Sequence, residues 1–253
     1  MAKIIALVNQ KGGVGKTTTV LNLGAYLAEL GKYVLVVDSD PQGNATSGLG
    51  VIPAQLTSGL YEVLSGRAEA ATVIQNTPIQ NLRVFPSTPS LAAANVELVS
   101  AEKREERLRE SLLGIRNDYD YILIDCPPSL GILTVNSLVA ADSVLIPVQS
   151  EYYALEGLGQ LLETIHLVQK NLNPGLRVLG AVITMHDKRT KLSAQVQKEM
   201  NRHFPNKIFD SVIPRNVRLS EAPSHGLTIR QYDPWSKGAR AYRQLAEEVM
   251  RLE

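Results

Sequence analysis

An α/β fold, built on a mostly parallel twisted sheet with helices on both faces, is what this 253-residue sequence predicts. Three observations carry that expectation. Short, continuously apolar, β-branched runs alternate along the chain with segments of helical character. Two of those runs end in aspartate, and the first run leads straight into a glycine-rich loop that closes on Lys-Thr. The length suits one large domain covering residues 1–253.

The elements follow in chain order. Ile4-Ile5-Ala6-Leu7-Val8 predicts a strand near 3–9, and the residues after the glycine-rich loop predict a helix over 16–30. Tyr33-Val34-Leu35-Val36-Val37 predicts a strand over 33–38. Pro53 to Gly66 reads as a loop with one short helix. A strand near 82–85 precedes helices near 89–99 and 101–116. The second of these spans Glu102 to Glu110, where four acids and four bases could pair at i,i+4, as in Glu105–Arg109. Tyr121-Ile122-Leu123-Ile124 predicts a strand over 120–125, followed by a helix over 131–140 and a strand over 143–148. The remainder reads as helix 154–171, strand 176–184, helix 190–203, strand 208–213 and helix 237–251. Apolar residues at helical spacing in that last helix are expected to pack on the core.

Composition narrows the class. Hydrophobic content of 44% and charged content of 20% describe an ordinary soluble globular chain. Its one cysteine, Cys126, rules out an internal disulfide and suits a reducing compartment, with a packing role expected at a buried strand end. Lys3 leads directly into the first strand, so no secretory leader is expected, and no apolar run approaches a membrane span. The four histidines lack ligand spacing.

The loop Gln10-Lys11-Gly12-Gly13-Val14-Gly15-Lys16-Thr17-Thr18 is built for phosphate. Its glycines let backbone N–H groups converge on an anion, and the following helix adds unpaired amides. Lys16 is placed to reach the β/γ-phosphates of a nucleotide, and Thr17 offers a hydroxyl to Mg²⁺. Gln10 stands where the general pattern has glycine, so the loop is a variant. Asp38, Asp40 and Asp125 sit at or just past strand ends, on the edge where such sheets bind ligands. Asp125 and Asp38 are candidates for the Mg²⁺ shell, and Asp40 for orienting or deprotonating an attacking water. Any one of them alone could be a turn former.

These segments resemble the ParA/MinD class of P-loop ATPases, with Lys11 to Thr18 similar to its deviant Walker A motif. Asp38 to Gly43 and Ile122 to Pro128 resemble its second signature and its Walker B. Gln42 to Gly50, Gln149 to Leu158 and Ile213 to Ser224 look like the chromosomal ParA branch. The resemblance implies a P-loop fold, ATP and Mg²⁺ as ligands, and an ATP-dependent sandwich homodimer. It implies that Lys11 reaches the partner subunit's nucleotide, with Lys16 and Asp40 completing the catalytic set. Gly12, Gly13, Val14, Gly15, Thr17 and Thr18 would cradle the phosphates, while Pro214, Asn216 and Met185 would lie near the adenine. It further implies a cytoplasmic, nucleoid-associated protein that binds DNA without sequence preference and answers to a ParB-type centromere-binding partner, with no membrane role.

Charge supports the DNA expectation locally. Residues 184–218 hold eight Lys/Arg against three acids on a chain of net charge +1. Such a basic face is an electrostatic footprint for phosphate backbones, and with the resemblance it makes Lys188, Arg189, Arg215 and Arg218 the candidate contacts. Two other functions compete. A MinD-like, membrane-associated division-site positioner would need a basic amphipathic C-terminal helix, but residues 239–253 carry three Arg and three Glu. A metabolic ligase of dethiobiotin-synthetase type would use a similar loop, with no evident need for Lys11.

Overall fold

The computed structural model describes residues 1–151 and 154–253. Tyr152 and Tyr153, part of the Gln149–Leu158 segment above, lie outside the described residues. The chain opens with β1 (Lys3–Leu7), α1 (Lys16–Glu29), β2 (Val34–Asp38) and α2 (Asn44–Gly48). It continues with α3 (Leu60–Leu64), α4 (Ala70–Val73), β3 (Gln75–Asn76), β4 (Leu82–Phe85), α5 (Ala94–Glu97) and α6 (Arg107–Leu113). Next come β5 (Tyr121–Asp125), α7 (Ile132–Ala140), β6 (Ser143–Gln149), α8 (Ala154–Asn171) and β7 (Arg177–Thr184). The chain closes with α9 (Lys191–His203), α10 (Val217–Glu221), α11 (Ile229–Tyr232) and α12 (Lys237–Leu252).

One seven-stranded sheet runs β3-β4-β2-β5-β1-β6-β7, parallel throughout except for the short β3. Side chains alternate across it, as strand geometry requires. Ile4, Ala6 and Val8 enter a core shared with α3 and α5–α9, whereas Ile5 and Leu7 enter a second core with α1 and α12. Helices therefore cover both faces, as expected for strands that are apolar on both sides. The register places Leu7, Asp125 and Asp38 side by side on β1, β5 and β2. The carboxylates of Asp125 and Asp38 thus share the edge from which the glycine-rich loop departs after Leu7.

Three expected elements form differently. The segment 89–99 breaks into a 3₁₀ turn (Pro89–Ala93), α5 and a second 3₁₀ turn. The helix expected over 101–116 is reduced to α6, because side chains capture the preceding carbonyls: Arg104 donates to Val99 O at 2.6 Å and Arg107 to Glu102 O at 2.9 Å. With residues 101–106 outside the helix, Glu105 pairs with Arg104 at 2.7 Å and Arg109 with Glu106 at 2.5 Å, so the Glu105–Arg109 pair does not form.

The strand expected over 208–213 is also absent. The segment runs beside β7 but touches it only at intervals, including a bridge from Ile208 to Ala181, and a further bridge joins Pro214 to His186 just past the end of β7. Its approach is close at Gly180, where a Cβ would lie 2.7 Å from Lys207 O and 2.9 Å from the Phe209 ring. In between, the N–H groups of Asp210 and Ser211 turn to the buried carboxylate of Glu248, at 3.0 and 3.1 Å. That carboxylate on α12 takes bonds a ladder would have used.

Candidate functional site

Gly15 caps α1 in the left-handed conformation (φ 89°), which costs glycine little, and Gly13 is similarly placed at φ 73°. The loop is anchored from behind by the Thr184 hydroxyl, which donates to Val14 O at 2.7 Å. Lys16, at the first turn of α1, is 7% exposed and its ammonium reaches Lys11 O at 3.3 Å. Burial lowers its pKa, while Asp125, Cys126 and Asp40 work in the opposite direction. A cation held this way lacks its full share of acceptors, and phosphate oxygens would supply them.

The three aspartates have different surroundings. Asp38 is fully buried and tied into the protein. Its Oδ2 accepts from the Thr46 amide and hydroxyl, both at 2.7 Å, and its Oδ1 accepts from the Asp40 amide at 3.3 Å. Burial still pushes its pKa up to about 6 against those bonds, with the Asp40 charge adding to the rise. Asp125, beside it in register, is equally buried, yet neither carboxylate oxygen has a hydrogen-bond partner among the described residues. Burial first and the Asp38 charge second raise its pKa well above the usual carboxylate range; Thr17 and Lys16 oppose this without closing a hydrogen bond to either oxygen. An orphaned buried carboxylate next to a hydroxyl fits a hard divalent cation with its waters. Asp40 is 8% exposed, and its Oδ1 accepts from the Gln42 amide at 2.9 Å, which sets the turn into α2. Cys126, next to Asp125, is buried with its thiol pushed up to about 12 by burial, so it stays protonated and packs as expected.

Lys11 points away from this cluster. Its ammonium pairs with Glu151 at 3.1 Å, both side chains are 44% exposed, and Gln149 donates to the other Glu151 oxygen at 2.6 Å. On the other side of Gly15, a cavity of about 220 Å³ brings together Thr18, Met185, Pro214, Asn216 and Tyr242. The sequence-predicted adenine neighbours therefore do meet beside the loop. Met185 holds a positive φ of 51°, unusual for a side-chain-bearing residue and of a kind that gathers at ligand sites. Asn216 caps α10 through Oδ1, which accepts from the Arg218 amide at 2.8 Å.

The basic candidates divide. Lys188, Arg189 and Arg215 line one groove, while Arg218 lies on α10, paired with Glu221 at 3.0 Å and lying over the Tyr232 ring. Sequence reasoning missed four contributors to the site. Thr46 holds Asp38, Glu151 holds Lys11, Thr184 anchors the loop, and Tyr242 meets the Thr19 hydroxyl at 3.1 Å. Thr46 and Glu151 lie in segments the resemblance had singled out; Thr184 and Tyr242 had no local signal. The apolar side of α12, including Leu245, Ala246 and Val249, is buried in the core with α1, as expected, which leaves no apolar face for a lipid surface. Among the described residues no helix is long and apolar enough to cross a membrane.

Known proteins resemble the chain over its whole length. A family described as "AAA domain" matches residues 2–178. The sporulation initiation inhibitor protein Soj of Bacillus subtilis (strain 168) is 57% identical, over 98% of this chain and 98% of that protein. The chromosome-partitioning ATPase Soj of Treponema pallidum (strain Nichols) is 52% identical, over 99% of this chain and 98% of its own length. Among solved structures, cobyrinic acid a,c-diamide synthase from Mycobacterium smegmatis with bound ADP and magnesium superposes with a TM-score of 0.88 at 39% identity, covering 99% of this chain and 95% of that one.

Proposed function

Because this chain belongs to the Soj/ParA family of chromosome-partitioning ATPases, we propose that it is an ATP-gated switch that holds and releases DNA during chromosome or plasmid partitioning. The observation that carries the reading is the pairing of a buried, under-satisfied Lys16 with an orphaned Asp125 at the mouth of a glycine-rich loop.

In this reading the loop amides from Gly12 to Thr18 and the Lys16 ammonium bind the phosphates of ATP, and the cavity beside Met185, Pro214 and Asn216 receives the base. Thr17 and Asp125 would hold Mg²⁺, which when bound neutralises phosphate charge. Asp38 orders the strand end: its bonds to Thr46 and Asp40 set the backbone from which the Asp40 side chain projects. Asp40 orients the attacking water and takes its proton. Lys11 leaves Glu151 and meets the nucleotide of a second subunit, so that ATP is a condition of homodimer formation. The dimer aligns basic residues of both subunits on DNA, irrespective of sequence, and a ParB-type partner accelerates the slow hydrolysis that releases it. If a dimer neutralises roughly six phosphates, the slope of log affinity against log salt is about −5.

The test is molecular mass and DNA binding with ADP and with ATP, in wild type and Asp40→Ala. Asp40→Ala is expected to lose hydrolysis by about 10²-fold or more, to accumulate a dimer with ATP, and to bind unrelated duplexes equally. A variant that stays monomeric with ATP, or DNA binding indifferent to nucleotide, would sink the reading. Turnover that depends on a small carboxylic acid and ignores DNA would point to a ligase instead.

A further inference from the structure

Lys11 and Arg189 are each held by a carboxylate, and the two holders are joined inside the protein. Lys11 is held by Glu151, just past the end of β6, and Arg189 by Asp187 in the turn from β7 to α9. Asp187 accepts two bonds from the Arg189 guanidinium, at 2.9 and 2.7 Å, and one from the Arg189 amide at 3.0 Å. Exposed ion pairs are worth only about 0–1 kcal/mol each. A small displacement of either carboxylate is therefore enough to release its cation.

Between the holders runs a buried chain of hydroxyls. Ser150, the residue before Glu151, and Ser193, in the first turn of α9, are each 4% exposed, and their oxygens lie 3.2 Å apart. Ser193 Oγ accepts from the Thr190 hydroxyl at 2.9 Å and from the Asp187 amide at 3.4 Å. Ser150 Oγ donates to Met185 O at 3.4 Å. Each serine has one proton to give, and one assignment satisfies both: Asp187 and Thr190 donate to Ser193, Ser193 to Ser150, and Ser150 to the Met185 carbonyl. The chain thus runs from the amide of the residue that holds Arg189 to the wall of the base cavity, passing the residue next to Glu151. Breaking such a buried bond leaves a polar group unsatisfied, at a cost of about 1–3 kcal/mol. That exceeds the worth of either exposed ion pair, so a displaced holder drags the chain with it before the chain parts.

We propose that Ser150 and Ser193 join the Lys11–Glu151 and Arg189–Asp187 pairs into one brake. While Glu151 holds Lys11, the hydroxyl chain keeps the β7–α9 turn in the form in which Asp187 holds Arg189. Departure of Lys11 from Glu151 frees both cations together. The two serines are positioning residues that act through the carboxylates beside them. The inference rests on the partitioning reading above and names a regulation within it: the nucleotide-free chain withholds Arg189 from a phosphate as well as Lys11 from a second subunit.

The experiment follows hydrogen exchange at the Asp187 and Thr190 amides of the nucleotide-free full chain. It compares wild type, Glu151→Gln, Ser150→Ala, Ser193→Ala and the Ser150→Ala/Glu151→Gln double variant. Glu151→Gln removes the charge that holds Lys11, and Glu151 bonds to neither amide. It is expected to quicken exchange at both by about 2- to 10-fold, the worth of one neutral hydrogen bond. Ser150→Ala is expected to do the same, and adding Glu151→Gln to it to change nothing more, because the link is already cut. Serines with a merely structural role would give additive effects. The consequence is read from binding to a duplex of arbitrary sequence at low salt, with ADP and with ATP. Ser193→Ala is expected to form the ATP dimer as wild type does, while its ratio of ATP-state to ADP-state affinity falls by about 5-fold or more, through tighter binding with ADP. The two alanine variants cut the chain at different links, so a folding defect in one leaves the other to decide. Unchanged exchange in Glu151→Gln, additive effects in the double variant, or an unchanged affinity ratio overturns the inference and leaves the partitioning reading standing. Wild type that gains no DNA affinity from ATP overturns that reading, while the exchange arm, which uses no nucleotide, still decides whether the two pairs are linked.

Discussion

Asp38 and Asp125 show how one residue type acquires two roles from its surroundings. Both are buried on neighbouring strands in register; burial raises the pKa of each, with the Asp38 charge adding to the rise at Asp125 and the Asp40 charge to that at Asp38. Asp38 spends its oxygens on Thr46 and the Asp40 amide, whereas Asp125 spends neither. The first is a fastening and the second is the better ligand, a division that two aspartates at two strand ends do not reveal in sequence. A pH dependence follows. With its native pKa at about 6 rather than the usual 3.8, Asp38 holds its proton more tightly in the folded than in the unfolded chain. The native state carries the excess proton between those values, so stability falls as pH rises through that window. Below the window the group costs nothing; above it the cost of burying the charge is complete. Asp38→Asn removes this titration and also relieves Asp125. The thermal midpoint of the nucleotide-free variant is therefore expected to gain on wild type as pH is raised from about 4 to about 6, then to hold level. A difference that is flat with pH would show that Asp38 does not ionise unfavourably.

At the scale of elements, Glu248 decides more than its place in a predicted helix implied. It sits on the buried side of α12, receives the Asp210 and Ser211 amides, and lies 3.5 Å from Lys207. Burial works to raise its pKa, but those two amides, the Ser211 side chain and the lysine bring it below the usual carboxylate range. Glu248→Ala would leave two backbone donors without their acceptor, and is expected to cost about 1–3 kcal/mol in urea denaturation. Hydrogen exchange at Asp210 and Ser211 should quicken at the same time; protected amides in the variant would mean that the segment finds its partners elsewhere. The same residues explain where sequence reading stopped. Six of the seven expected strands were legible because continuous apolar runs such as Ile4–Val8 and Tyr121–Ile124 can only be buried on two faces. Residues 208–213 are apolar at both ends, and Phe209 and Ile213 do donate to β7, but between them the Asp210 and Ser211 amides go to a side chain some 40 residues away. The helix over 101–116 failed for a related reason, since Arg104 and Arg107 claim carbonyls that the i,i+4 pattern cannot foresee. The nucleotide loop was legible almost whole because its parts are contiguous. Tyr242 was not, because only the packing of α12 brings it to the site.

For the molecule as a whole, the question is how a base cavity and a basic groove come to act together. They are adjacent: Pro214 and Arg215 line both, and α12 supplies Tyr242 to the one and Lys237, Arg240 and Ala241 to the other. Tyr242 is also fixed to Thr19 of α1, the helix whose amino end would receive the phosphates. Any shift of the 214–215 segment on nucleotide binding must therefore alter the groove wall, because that wall is the same chain. Thermodynamic linkage makes the effect mutual: whatever factor ATP adds to DNA affinity, DNA adds to ATP affinity. In the Asp40→Ala protein, where hydrolysis does not drain the complex, a saturating duplex is expected to tighten the binding of a fluorescent ATP analogue. Couplings of the usual size correspond to a factor of about 5 to 150. ADP binding should move much less, since a switch that releases DNA after hydrolysis requires the diphosphate state to gain little from DNA. Equal tightening of both nucleotides would leave hydrolysis with no means of release. No tightening of either would mean, by the same linkage, that ATP adds nothing to DNA affinity, and would overturn the gating itself.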